Sequence, residues 1–260
     1  MAEYPKLRAD ELPGWSDLGK YLEDARLNLG GPIPLCVNGA DKALGTLVRN
    51  LGQGDALRVV GLVNYAYSNW RAAALLGQTG NAHQVPLVLR AALEGMLYAN
   101  LFLRDENWKK RWEARHSSKT AADRFRKEGP AAARAALKKV DHELEKSIKH
   151  IIQYLIDFGG HANIGAIEAS STYFANAEDA DSGFVVFTQL AGERRRYEAT
   201  VSILESAGAI LKILRHMWPD RYMLLGIENL EREYRLLARI FIELDKASRP
   251  AEPDDLTGKA

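Results

Sequence analysis

With 260 residues, of which 47% are hydrophobic and 27% charged, the chain has the length for one large domain or two small ones and can bury about three quarters of its unfolded surface. A formal net charge of +1, from 35 Lys and Arg against 34 Asp and Glu, gives overall electrostatics no preference for nucleic acid or a membrane surface. The only cysteine is Cys36, and the opening stretch MAEYPKLRADELPGW mixes charges and prolines where a secretory signal needs an unbroken apolar run, so a reducing, cytoplasmic setting without disulfides is expected.

Helix-period patterns dominate from end to end, and the predicted fold class is mostly α. Residues 10 to 29 read as partly helical until GGPIP at 30 to 34 breaks the pattern. A helix is predicted from about Asn38 to Leu51, then a second from about Ala56 to Leu76 with Asp55 as its N-cap, the two forming a hairpin. The run from His83 to Arg104 carries Pro86 in its first turn, where a missing N–H costs nothing. Asp105 can cap a further helix through Trp108 and Trp112. SSKTAAD supplies a serine cap for a basic amphipathic helix, and EGP at 128 to 130 reads as its stop. From Ala131 to Phe158 one long helix is predicted, with its apolar stripe at Leu137, Val140, Leu144, Ile148, Ile151, Ile152 and Leu155. Residues 166 to 190 hold STYF and GFVVFT around an acidic, turn-like stretch, which predicts a short β-hairpin or an irregular excursion. Helices follow from Ala191 to Trp218 and from about Leu225 to Lys246. The latter has a stripe of Leu230, Tyr234, Leu237, Ala238, Phe241 and Leu244 that suits bundle packing and a homodimer equally. The whole is predicted as a single antiparallel helical bundle over residues 1 to 246, with residues 247 to 260 as a disordered tail.

Val85 to Leu103 is long enough to span a bilayer, yet Arg90 and Glu94 sit near its centre, where the arginine alone costs roughly 2.5 kcal/mol or more in lipid. A helix buried in protein is the better reading, and no membrane partner is expected. On that helix Arg90, Glu94 and Tyr98 recur every fourth residue as a polar ridge between apolar flanks, and a buried ridge needs partners from elsewhere in the chain. DFGGHANIG, with Asp157, His161 and Asn163, is the predicted source, His161 facing Glu94. Two outcomes follow: a structural network stapling a loop to the central helix, or a core pocket for a small polar or anionic ligand lined by Arg90, Glu94, Tyr98, His161 and Asn163.

R-x-x-x-E on an apolar helix, the following RDENWKKRW and the later DFGGHANIG resemble a broad group of bacterial α-helical proteins of unassigned function, which in turn are similar to the HEPN helical domains. The matched segments fall in residues 85 to 165. The resemblance implies a helical fold. It also implies a metal-independent ribonuclease as an alternative function, with Arg111 and His116 of RWEARH activating a ribose hydroxyl and stabilising phosphate charge. Trp112 stands after the arginine, where active members of that family carry a polar residue.

No cofactor or metal is predicted. A di-iron bundle needs Glu-x-x-His on two helices, and only Glu113 and His116 have that spacing; P-loop, zinc-ribbon and dinucleotide fingerprints are absent. The segment from Arg104 to Lys149 holds 14 Lys and Arg against 8 Asp and Glu, and RRRY at 194 to 197 adds a second basic cluster with Tyr197 as a stacking ring. RNA is the partner those features suit, unless the arginines simply bridge to acidic neighbours. A structural interaction protein with no small-molecule site completes the set of readings.

Overall fold

The computed structural model describes residues 18–29, 34–52, 57–160, 171–175, 183–187 and 193–248. Ten α-helices follow in chain order among them: α1 Leu18–Leu29, α2 Leu35–Arg49, α3 Leu57–Thr79, α4 Val85–Arg104, α5 Glu106–Glu113, α6 Lys119–Lys138, α7 His142–Leu155, α8 Glu193–Met217, α9 Pro219–Leu224 and α10 Ile227–Ser248. A 3-10 turn, Ala114–His116, follows α5, and one π-helical turn, Ile156–Gly160, extends α7. Strands β1 Ser171–Ala175 and β2 Gly183–Phe187 pair antiparallel with Tyr173 opposite Val185. The protein is a mostly α helical bundle.

The bundle is organised around α4, whose apolar side is buried along its whole length. Val85, Leu89, Ala92, Leu93 and Met96 are sealed completely, and the helix packs on α3, α6, α7 and α8. Each large side chain so buried contributes about 1.5–3 kcal/mol. That helix is also the one described segment long and apolar enough to cross a membrane, and most of it lies inside the protein. Two further contacts lock the neighbours. The buried indole of Trp70 on α3 donates from Nε1 to the Ile203 carbonyl of α8 at 2.9 Å. On α2, Gly39 lets α10 approach so closely that a Cβ there would meet the Cα and Cβ of Tyr234 at 3.3 and 2.9 Å.

Local signals work as their chemistry requires. Pro86 sits in the first turn of α4, and Asp105 caps α5 by accepting from the N–H groups of Asn107 and Trp108. Ser118 caps α6 through the N–H of Ala121. Gly80 and Gly226 end α3 and α9 with positive φ, a conformation other L-residues resist. The Asp55 cap falls outside the described residues, as do the acidic turn at 176–182 and the tail beyond 248.

Several sequence expectations are corrected. EGP does not stop α6: the helix runs through Pro130, and Gly129 is buried against the ring of Phe125, so packing overrides a proline that costs one backbone hydrogen bond. The predicted long helix from 131 to 158 is instead cut after Lys138. Asp141 begins α7, its Oδ1 accepting from the Leu144 N–H at 2.8 Å, with Glu143 and Glu145 favourably placed in the first turn. Leu137, Leu144, Ile148 and Leu155 are buried as the stripe requires, but Val140, in the turn, is exposed. The main partner of α3 is α4 rather than α2, which packs chiefly against α10. On α10, Tyr234 is buried and Leu230, Leu237, Ala238 and Phe241 pack on the core, whereas Leu244 is exposed. Tyr197 stacks on Phe241 at 5.4 Å, Arg194 and Arg195 pair with Glu198 on their own helix, and Arg196 donates to the Gln78 carbonyl.

Two predictions follow from this packing. Gly39→Leu forces α2 away from the α10 backbone and costs about 1–3 kcal/mol, read as a lower urea midpoint. Asp141 gives an acid-sensitive stability term. The Leu144 N–H and then His216, whose Nε2 lies 3.1 Å from Oδ2, hold the carboxyl below the ordinary aspartate range. A group more acidic when folded contributes its full stability above the unfolded value of about 4 and loses it as pH falls through the folded one. Asp141→Asn retains a cap, so its unfolding free energy should fall less steeply than the wild type's below about pH 4.

Candidate functional site

Helical period puts Arg90, Glu94 and Tyr98 on one ridge of α4, on the side turned away from Leu89, Leu93 and Met96. Arg90 Nε donates to Glu94 Oε1 at 2.7 Å, and the two side chains remain 34% and 43% exposed. The expectation of a fully buried pair is therefore corrected. Removing both ions from water costs several kcal/mol each, and the fold avoids this by leaving a water-accessible cleft over the ridge.

That cleft, of about 250 Å³, is walled by α6 and α7. Arg134 enters from α6 and Lys149 and Gln153 from α7; Leu97, Ala133 and Ile152 supply apolar surface between them. Three cations thus face one carboxylate. Among the described residues neither Arg134 nor Lys149 has an ion-pair partner within 4 Å, while Arg90 is held by Glu94. Tyr98 lines the same cleft with its ring anchored against Phe102 and Phe125, at 5.9 and 5.5 Å. Burial, reinforced by Glu94, pushes its hydroxyl up to about 12, so it stays a hydrogen-bond donor at neutral pH.

His161 and Asn163 lie outside the described residues. Asp157 accepts from Gln153 Nε2 at 2.8 Å, one turn along from the cleft. Arg111 and His116 are both exposed, on α5 and at the end of the 3-10 turn that follows it. Arg111 stacks over Trp108 at 4.8 Å and reaches Glu128 at 3.4 Å, and neither residue lines this cleft. Trp108 and Trp112 pack toward the core, Trp108 edge-on to Phe125 and Trp112 against Phe102.

Arg134 and Lys149 were not singled out from the sequence. The excess of basic residues between 104 and 149 marks the region, but a continuous helix would set these two about 22 Å apart, whereas the turn before Asp141 folds them onto one cleft. Among the described residues, no three His, Cys, Asp or Glu side chains converge in a way that could hold a metal ion. Searches against protein-family models, curated proteins and solved structures find no match for this chain.

Glu94→Gln tests whether the ridge is a staple or part of a cleft. A half-exposed i,i+4 pair is worth about 0.3–0.5 kcal/mol, so thermal stability should barely change, whereas binding of a small dianion such as sulfate should tighten severalfold once the only acid is neutralised.

Proposed function

We propose that this protein is a binding or regulatory protein whose cleft between α4, α6 and α7 takes a small anionic ligand. The observation that carries the reading is the convergence of Arg90, Arg134 and Lys149 on one small, partly apolar cleft that holds a single carboxylate. Arg134 and Lys149, without ion-pair partners among the described residues, line this cleft beside a wall of alanine, leucine and isoleucine, so an anion bound there would meet both charges.

Each group has a distinct part. Arg134 offers a planar fork to a carboxylate or phosphate, and Lys149 adds a point charge from the opposite wall. Glu94 orients Arg90 through the 2.7 Å contact, so that the outer face of the guanidinium is presented to the ligand. Tyr98 and Gln153 donate neutral hydrogen bonds that select among anions by shape.

Calorimetric titration with succinate and sulfate tests the reading. The wild type should bind one of them saturably. Arg134→Gln should weaken that binding by about tenfold or more, as expected for loss of a hydrogen bond to a charged group. Equal affinity in both proteins would remove the cleft as the binding site. The alternative of a HEPN-like ribonuclease rests on the resemblance of residues 85 to 165. RNA cleavage in EDTA, abolished by His116→Ala and retained by Arg134→Gln, would favour it over the binding reading.

A further inference from the structure

A larger groove, of about 800 Å³, runs between α7, α8 and α10, next to the cleft along α7. On α8, Glu205, Gly208, Ala209 and Lys212 share one face and form its floor, as their spacing requires. From α7 come Lys146, Lys149 and His150, and from α10 Tyr234 and Arg235. The apolar part of the floor is Leu144, Ile151 and Leu204.

Tyr234 is the informative residue. It is only 2% exposed and is wedged between two glycines: its Cβ lies against Gly39, and a Cβ on Gly208 would come within 2.8 Å of its hydroxyl oxygen. That hydroxyl makes no hydrogen bond among the described residues, although the residue lines the groove. The hydroxyl is not sealed in the core: it opens onto the groove, where water or a ligand can accept from it. Its neighbour Tyr222 shows the contrast: that hydroxyl is satisfied by Glu231, which also accepts from Arg235 Nε at 2.7 Å. Glu231 therefore fixes the Arg235 guanidinium beside the Tyr234 hydroxyl, at the edge of the same groove.

We propose that this groove binds a phosphate monoester carried on an apolar body. Donors arrive from three helices: Lys149 from α7, Lys212 from α8, and Tyr234 with Arg235 from α10. A tetrahedral phosphate presents oxygens in three directions, whereas a carboxylate presents two in one plane. Four cations, Lys146, Lys149, Lys212 and Arg235, face Glu143, Glu205 and the Glu231 that holds Arg235, so the balance is positive and favours an anion. The leucine and isoleucine floor takes the body that bears the phosphate.

The site differs from the α4–α6–α7 cleft, and only Lys149 and Gln153 touch both. The test uses the full chain carrying Arg134→Gln, which disables the cleft, titrated calorimetrically with phenyl phosphate, inorganic phosphate and benzoate. Phenyl phosphate should bind saturably, inorganic phosphate more weakly and benzoate weakest. Adding Tyr234→Phe should weaken phenyl phosphate by about tenfold. Because that hydroxyl has no protein partner among the described residues, the same change should leave the thermal midpoint unchanged, whereas Tyr222→Phe lowers it. Absence of phenyl phosphate binding at millimolar concentration, preference for benzoate, or equal affinity with and without the Tyr234 hydroxyl would each overturn the proposal.

Discussion

Everything in this fold depends on how α4 divides its surface. Twenty residues long, it must bury an apolar side against α3 and α8 while carrying Arg90 and Glu94, which cannot follow it into the core. Sealing those charges would cost several kcal/mol per ion, so α6 and α7 flank the ridge without closing over it. The half-wet cleft is thus a consequence of one helix having an interior side and a charged side. The aromatic cluster of Tyr98, Phe102, Phe125, Trp108 and Trp112 then closes the end of the ridge and holds α5 and α6 in place.

The sequence was legible where local chemistry decides structure. Pro86, Asp105 and Ser118 mark helix starts because a missing N–H or a side-chain acceptor suits a first turn whatever surrounds it. It misled where packing decides. Gly129–Pro130 reads as a stop, but the fit of Gly129 against Phe125 keeps α6 going; the true break, at Asp141, was hidden by an apolar period that continues from Leu137 to Leu144 across the turn. That hidden turn conceals the α6 and α7 walls of the cleft. With a single helix from 131 to 158, Arg134 and Lys149 cannot meet, and the basic residues look like a solvated face. The ridge itself, Arg90, Glu94 and Tyr98, was visible because fourfold spacing is local; the residues facing it were not, because they are set by a loop and a crossing.

Ion pairing separates the charged residues. Arg194 and Arg195 meet Glu198, and Arg111 meets Trp108 and Glu128, so these cations are largely occupied by their own surface. Arg134, Lys149 and Lys146 are not, among the described residues. Since Lys149 stands on the α7 ridge between the cleft and the groove, occupation of either side changes the charge felt by the other. Two anions sharing one lysine compete for it, and binding at the two sites should be antagonistic by linkage.

The most direct measurement is anomalous diffraction at the selenium edge from crystals soaked in selenate, which locates a tetrahedral dianion without assuming its identity. A selenium peak within hydrogen-bonding distance of Arg134 and Lys149, beside the Arg90–Glu94 pair, is the result this account predicts. A cleft without selenium, with Arg134 and Lys149 both turned to carboxylates of their own chain, would contradict it.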